Sequence, residues 1–311
     1  MTGCVALVGC GRWGKKHLEV LRNLRSSGSV KRLVVCDTNP SVLVNLAVDA
    51  TYTSLDAMLA RETLHAAAVV TPPNTHLAVM DAIVEHDVPV LVEKPLGADH
   101  AAVERTLDGL SPTTTLFVGY LLRHHRSVQH LHHAVVSGSL GRLTAFEYRR
   151  TTVRPPPSGA DALSTLAVHG LDLLVLMAGD GLMNGEVETF LAEPTRASMV
   201  IRMSNGVCGT VEVAWGAEEE RRLVAVEGEL GRGEVDFGTG ETRIVANGTP
   251  SISPAPLRSA LEQEWVTFLA TVEGGEALVF PEAAVLRDQA LWLGSHGAFN
   301  GVDNDPHGCE N

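Results

Sequence analysis

A short apolar run, Cys4–Val8, breaks into Gly9-Cys10-Gly11-Arg12-Trp13-Gly14 and then turns amphipathic, with Leu18, Leu21 and Leu24 spaced for one buried helical face. A second apolar run, Arg32–Cys36, ends at Asp37. Leu55–Leu59 predicts a short helix, and His65–Val70 predicts a buried strand stopped by Thr71-Pro72-Pro73. Asn74 is placed to cap a helix over Thr75–His86, with Leu77, Met80, Ala82 and Ile83 as its inner face. Val88–Val92 reads as strand, followed by Glu93-Lys94-Pro95; Ala101–Leu110 reads as helix and Thr115–Tyr120 as strand. Such alternation is the pattern of a doubly wound parallel sheet of the Rossmann type.

From residue 121 the pattern changes. Gln129–Val136 predicts a helix, Leu143–Val153 a long strand, Pro155-Pro156-Pro157-Ser158-Gly159 a loop, and Ala162–Met177 a strongly apolar helix. Period-two runs follow at Val187–Ala192, Ala197–Met203, Val207–Ala214, Arg222–Glu227, Gly233–Phe237 and Thr242–Val245, punctuated by Gly and Asn. Leu257–Val272 and Pro281–Leu293 close the chain as helices. The expected fold is therefore α/β: a Rossmann domain over residues 1–120, then an α+β domain with an open, mainly antiparallel sheet over 121–299. Residues 300–311 read as a flexible tail.

Composition narrows the function. The 311 residues suffice for two domains, and 45% apolar with 20% charged residues is an ordinary soluble profile. A net charge of −13 argues against a nucleic-acid partner, since no basic domain is present to neutralise phosphates. The five cysteines (Cys4, Cys10, Cys36, Cys208, Cys309) are scattered without a C-x-x-C pair, which fits a reducing compartment rather than a disulfide framework or zinc site. The first strand leaves no room for a signal peptide, and no apolar run reaches the roughly 18 residues of a membrane span. A cytoplasmic protein is expected. Histidines 124, 125, 130, 132 and 133 are crowded, but no carboxylate or Cys accompanies them, so no metal is expected. Asn247-Gly248-Thr249 matches a glycosylation acceptor and is read as a turn.

Between a strand and a helix, the three glycines take distinct tasks. Gly9 permits the tight turn, Gly11 lets main chain approach a pyrophosphate, and Gly14 allows close helix–strand packing. Arg12 and Trp13 belong to the same cofactor-binding turn. Asp37 follows the second strand, 23 residues after Gly14, where a carboxylate accepts bonds from an adenosine ribose and repels a 2′-phosphate. NAD is therefore expected over NADP.

With these residues, "TPPNTH" at 71–76, "EKPL" at 93–96, "SGSLGRL" at 137–143, "HGLDLL" at 169–174 and the strands of 211–237, the chain resembles the glucose–fructose oxidoreductase/inositol dehydrogenase/MocA family over essentially residues 3–299. The resemblance implies hydride transfer with NAD(P) at a hydroxyl-bearing carbon of a sugar, nucleotide sugar or cyclitol. It implies an active site between the Rossmann domain and the open sheet, and a homodimer or homotetramer formed through that sheet's other face. Thr71, Pro72, Asn74 and His76 are implied to line the cofactor, and Glu93 to sit near its nicotinamide end. Lys94 is implied to touch nicotinamide and substrate, with a cis Lys94–Pro95 bond.

Oxidising an alcohol also removes its hydroxyl proton, and a His base does this best near neutral pH. His169, set among apolar neighbours, matches the family's catalytic His; Lys94 matches the ammonium that stabilises alkoxide character. Many family members carry Asp four residues before that His, whereas Thr165 stands here. Thr165, Asp172, Tyr148 and Arg150 are candidate substrate-side or supporting residues; for Asp172 a plain helix role is the alternative. Arg149, Arg150 and Arg154, with Arg221 and Arg222, suit a phosphate or carboxylate on the substrate, or else line solvated strand faces. Tyr120 either borders the nicotinamide or packs. A ketosugar or imine reductase is the alternative enzyme, and a non-catalytic NAD-binding regulator the alternative from another class.

Overall fold

The computed structural model of the chain describes residues 2–157 and 161–297. The tail expected over 300–311, and Ser158 and Gly159 of the proline-rich loop, lie outside them. The chain forms two compact units: Met1–Leu121 with Leu261–Ala290, and Leu122–Ala260 with the residues from Leu291 onward.

In chain order the first stretch runs β1 (Thr2–Val8), α1 (Gly14–Ser26), β2 (Val30–Cys36), β3 (Ala50–Tyr52), α2 (Leu55–Leu59), β4 (Leu64–Val69), α3 (His76–Val84), β5 (Val90–Glu93), α4 (His100–Gly109) and β6 (Leu116–Gly119). Next come α5 (Arg126–Val136), β7 (Leu143–Thr152) and α6 (Val168–Ala178). Then follow β8 (Glu186–Glu193), β9 (Arg196–Arg202), β10 (Cys208–Trp215), β11 (Arg221–Gly228), β12 (Gly231–Asp236), β13 (Thr242–Ala246) and β14 (Thr249–Ser253). The chain closes with α7 (Ala260–Gly274), β15 (Val279–Phe280) and α8 (Ala283–Ser295).

The first unit holds a parallel sheet of order β15-β6-β5-β4-β1-β2-β3. Strand order reverses between β1 and β4, and in open α/β sheets the carboxyl ends flanking such a switch point carry the ligand crevice. Helices cover the sheet, so β4 and β5 are buried almost throughout, which is why they read as unbroken apolar runs. One core cluster joins Leu18 and Leu21 of α1 to Leu91, Phe117, Trp265 and Phe268.

The second unit holds one sheet of order β14-β13-β12-β11-β7-β10-β9-β8, antiparallel except for the parallel pair β7–β10. α6 lies on β7 and β10, and α5 on β12 and β13. Along β9 and β10 every second residue is buried, as expected of a sheet with one helix-covered face.

The parallel sheet and the mainly antiparallel one match the expected fold class, but the domain limits differ. Residues 261–290 belong with the first unit instead of continuing an unbroken second domain over 121–299. The cause is apolar: Phe268 meets Phe117 at a ring separation of 5.3 Å, Trp265 is fully buried, and β15 extends the parallel sheet beside β6. Asn74 also does not cap α3. A 3-10 turn, Pro73–Thr75, precedes the helix, and Thr75 Oγ1 closes it by donating to Pro72 O (2.7 Å) while accepting from the Thr71 hydroxyl (2.8 Å).

One polar knot ties the edge of the first sheet. Glu62 accepts from Arg32 Nε and Nη2 (2.9 and 2.7 Å), from the Tyr52 hydroxyl (2.7 Å), and from Cys4 Sγ (3.8 Å). The Arg32 fork leads in holding its carboxyl down at about 2, against the opposing pull of burial. A carboxyl depressed in the folded state contributes stability above its unfolded pKa and loses it as pH falls through the folded value. Glu62→Gln is therefore expected to melt a few degrees lower at neutral pH. That deficit should shrink as pH drops from about 4.5 towards 2, followed by thermal melts across this range; a pH-independent deficit contradicts the assignment.

Candidate active site

The glycine turn sits where β1 meets α1. Gly9 has φ +94°, a left-handed conformation, and its N–H donates to Cys36 O (2.8 Å). A Cβ on Gly9 would strike the main chain at Val70, and one on Gly14 would strike Gly9 O. Both positions therefore hold β1, β4 and α1 at contact. Gly11 differs: a Cβ there would meet nothing within 4 Å, so its bareness serves no internal packing. That open approach, beside the first turn of a helix with its free N–H groups, fits a dinucleotide pyrophosphate.

Asp37 closes the turn from the end of β2. Its Oδ2 accepts from Cys10 N (2.6 Å) and its Oδ1 from Asn39 N (2.9 Å). Each oxygen keeps a further lone pair, which is what two ribose hydroxyls require. Arg12 is exposed and Trp13 half-buried, with Lys16 Nζ 4.6 Å from the Trp13 ring centre.

Glu93 ends β5 and is 5% exposed. Its Oε1 accepts from Trp13 Nε1 (2.6 Å) and His17 Nε2 (2.9 Å), and its Oε2 from Lys94 N (3.2 Å). Burial works against its charge, but His17, Lys94 and Trp13 outweigh burial and hold the carboxyl below the usual range. Trp265 Nε1 donates to His17 Nδ1 (3.1 Å). An indole N–H only donates, so His17 Nδ1 is the acceptor and Nε2 carries the hydrogen given to Glu93. Glu264, one residue before Trp265, is fully buried, and burial together with the Glu93 charge pushes its carboxyl well up. The two carboxyls are thus pushed in opposite directions, Glu93 towards the charged form and Glu264 towards the neutral one.

Lys94 is half-buried, and its bond to Pro95 is cis, as the resemblance implied. The Thr71–His76 loop reaches this bend through His76. Expected to line the cofactor, His76 is instead buried at 1% exposure, with Nδ1 2.9 Å from Pro95 O and Nε2 2.7 Å from Thr71 O. Burial pulls its pKa down, so a neutral ring donates to one carbonyl at a time. His76 braces the two loops, while Pro72 and Asn74 stand exposed beside it and Thr71 half-buried. Tyr120 is 2% exposed, as a packing role requires.

In the second unit, His169 lies in the first turn of α6. The helix expected from Ala162 does not start as an α-helix: Leu163–Ala167 is a π-turn in which Val168 N reaches back to Leu163 O. Such wider turns recur at functional sites because they shift the phase of the side chains that follow. Thr165 Oγ1 donates to Asp161 O and accepts from Trp215 Nε1 (3.3 Å). Its hydroxyl is thus partly committed to holding the π-turn on β10. Asp172 is 1% exposed and takes a forked pair from Arg123, with Nε at 2.9 and 3.0 Å and Nη2 at 2.8 Å. Tyr148 packs against Gly170, where a Cβ would collide with the ring. Arg150 shares Glu220 with Arg222, at 3.2 Å from each guanidinium. Arg149 instead pairs with Glu147 (3.0 Å) and Glu212 (3.1 Å), and Arg154 is exposed.

Pattern reading missed His17, Trp265, Glu264 and Arg123. A histidine on the buried face of α1, beside Leu18 and Leu21, signalled the need for a partner, but not which one. Among the described residues, no group of three or more His, Cys, Asp or Glu could hold a metal ion, and no helix is long and apolar enough to cross a membrane.

Residues 4–120 match the oxidoreductase family with an NAD-binding Rossmann fold, GFO/IDH/MocA. An inositol 2-dehydrogenase of Leifsonia xyli subsp. xyli is 27% identical over 67% of this chain and 65% of its own length, just under two thirds. A UDP-N-acetylglucosamine 3-dehydrogenase of Acidithiobacillus ferrooxidans is 24% identical over 80% of this chain and 79% of its own. A solved structure of the UDP-N-acetylglucosamine 3-dehydrogenase from Acidithiobacillus ferrooxidans superposes with a TM-score of 0.79 at 22% identity, covering 95% of this chain and 98% of that one. Residues 4–120 thus belong to the NAD-binding domain of the glucose–fructose oxidoreductase/inositol dehydrogenase/MocA family of oxidoreductases, and the chain shares its two-sheet fold with that solved dehydrogenase.

Proposed function

We propose that the protein is an NAD-dependent dehydrogenase acting at a hydroxyl-bearing carbon of a sugar, cyclitol or nucleotide sugar. The observation that carries this reading is Gly11: its missing side chain is unexplained by any protein neighbour and explained by a dinucleotide lying against the turn. Gly9, Gly11, Arg12, Trp13 and Gly14 would hold the pyrophosphate side, and Asp37 the adenosine ribose. Thr71, Pro72 and Asn74 would border the cofactor, with Glu93 acting by anchoring Trp13. Bound NAD supplies a hydride acceptor.

The residues of the chain supply the rest. His169 takes the hydroxyl proton as the carbon is oxidised, and the Lys94 ammonium stabilises negative charge growing on that oxygen. The Asp172–Arg123 pair anchors α6 one turn beyond His169, so Asp172 positions rather than reacts. Removing one partner of so buried a pair costs about 3–5 kcal/mol, because the other charge is stranded.

Gly11→Ala is expected to melt like the parent yet bind NADH at least about tenfold more weakly, since the new methyl occupies the space of the pyrophosphate. Gly14→Ala should lose about 1–3 kcal/mol of stability, because its Cβ meets Gly9 O. Calorimetric melts and NADH fluorescence titrations separate the two effects. Unchanged affinity in Gly11→Ala removes the main support for the cofactor assignment.

Lys94→Ala and His169→Ala, properly folded, should each lower kcat by about 10²–10⁴. The assay follows NADH absorbance across inositols, free sugars and nucleotide sugars. Parental turnover in either variant sinks the assigned role. Wild type should bind NAD in preference to NADP, and Asp37→Ala should narrow that preference; tighter binding of NADP by wild type would falsify the Asp37 argument.

A further inference from the structure

The alternation of β7 places Tyr148, Arg150 and Thr152 on one face, the one α6 covers, and the register sets Arg222 of β11 directly opposite Arg150. Arg222 shares that face with the buried Val224 and Val226. Two guanidinium groups therefore stand side by side, with one carboxylate between them. Glu220 Oε2 lies 3.2 Å from Arg150 Nη1 and 3.2 Å from Arg222 Nη2. Its Oε1 is already taken by the Thr152 hydroxyl (2.5 Å) and Val153 N (3.2 Å). One negative charge is shared by two positive ones, and one positive charge is left over.

Arg222 and Glu220 stand at the surface, 41% and 36% exposed, and Arg150 lies further in. The Arg150 side chain is 17% exposed, and burial together with the Arg222 charge draws its pKa down, a sign of cations crowded without enough compensation. Arg150 spends Nη1 on Glu220 and Thr151 O (3.1 Å), which leaves the other N–H groups of its fork available. Beside it, Tyr148 is 3% exposed, and its hydroxyl makes no hydrogen bond to any of the described residues. Burial pushes the phenol pKa up, with Arg150 and Arg222 opposing, so the hydroxyl remains a donor. The hydroxyl is not among the enclosed polar atoms that lack a partner, so its oxygen reaches solvent and can present its hydrogen to a ligand. The Tyr148 ring packs on Gly170, the residue after His169, which joins this donor cluster to the proposed base through a rigid contact.

We infer that Arg150, Arg222 and the Tyr148 hydroxyl form a subsite for an oxyanion of the substrate, a carboxylate or a phosphate. Arg150 and Arg222 supply charge and a forked set of donors, and Tyr148 supplies a neutral donor at the inner end. The inference rests on the dehydrogenase reading and narrows its substrates to anionic sugars. Carboxylate and phosphate share this recognition chemistry, so substrate pairs must tell them apart.

The test compares kcat/KM with NAD for neutral sugars or inositols, the matching uronates, and the matching sugar phosphates or UDP-sugars. In parallel, calorimetry measures binding of glucuronate, inorganic phosphate and UDP to the NADH-saturated protein. Wild type should favour one anionic class over the neutral compounds. Arg150→Gln and Arg222→Gln should shrink that anionic-to-neutral ratio about ten- to a hundredfold, mainly through KM, and Tyr148→Phe about three- to tenfold. Arg150→Lys should recover only part of it, because charge returns without the fork. Arg243→Gln, an exposed arginine paired with Glu241, is the control.

A preference for uronates identifies a carboxylate, and one for phosphates or UDP-sugars a phosphate. Turnover of neutral substrates without anionic preference, or a ratio unchanged in Arg150→Gln, overturns the subsite and leaves the dehydrogenase reading standing. Conversely, anion binding lost in Arg150→Gln, with no NAD reduction on any substrate, supports the subsite and overturns the dehydrogenase reading. Should Arg150→Gln fail to fold, Tyr148→Phe and Arg222→Gln carry the same comparison.

Discussion

A carboxylate buried to 5% exposure is the constraint on which the first unit depends. An ion taken from water is tolerated only where donors replace its hydration, and Glu93 finds them in three places. Trp13 comes from the glycine turn, His17 from α1, and the Lys94 N–H from the bend after β5. The carboxylate thereby fixes the distance between the turn and the strand that delivers Lys94. Trp265 adds the last condition: by donating to His17 Nδ1 it leaves only the tautomer whose Nε2–H serves Glu93. Residues far apart in sequence settle the position of one hydrogen.

That arrangement explains why α7 must return to the first unit. Phe268 and Leu269 supply apolar contact, but Trp265 also completes a polar chain that would otherwise leave a buried imidazole nitrogen unsatisfied. Glu264 beside it is pushed towards its neutral form, by burial first and by the charge of Glu93 second. The second unit solves the same problem differently. Asp172 and Arg123 form a buried ion pair, Arg123 Nε donating to both carboxylate oxygens, and α6 is anchored there. In both units a buried charge is met at once by near neighbours, and the residues assigned to chemistry emerge from elements held by those pairs.

Local pattern reached far into this molecule, and its failures share a cause. The parallel strands were legible as apolar runs, the second sheet as period-two stretches, and the glycine turn as three glycines at fixed spacing. β3 and β15, at three and two residues, are too short to carry a pattern. β14 begins at Thr249, inside the Asn247-Gly248-Thr249 stretch that reads as a turn, and Pro250 interrupts its strand pattern. Asn74 was read as a cap on intrinsic preference, but Thr75 closes the loop through contacts with Thr71 and Pro72. His76 carried the chemistry of a ligand-facing residue and turned out to be a brace, since Pro95 O arrives from a bend 19 residues away. The His17–Trp265 bond spans 248 residues and has no local signature at all. What the sequence concealed is pairing across the fold, which no window of neighbouring residues contains.

An acidic composition and an arginine pair set for an anion are reconciled by range. A net charge of −13 is felt by an anion at a distance, but salt screens it within about 8–10 Å at ordinary ionic strength. Inside that radius the nearest groups decide. Around Arg150 those are a second guanidinium, one carboxylate whose Oε1 is taken by Thr152 and Val153 and whose Oε2 is shared by the two arginines, and the Tyr148 ring beside them. Arg150, with its side chain 17% exposed, is the sheltered member, and its interactions are strengthened relative to water. Whole-chain charge therefore acts only at long range, while the sign of the local field at β7 and β11 is set by which residues the register places opposite each other. A one-residue slip of that register would turn Arg222 to the other face and leave Arg150 alone with Glu220, erasing the surplus charge.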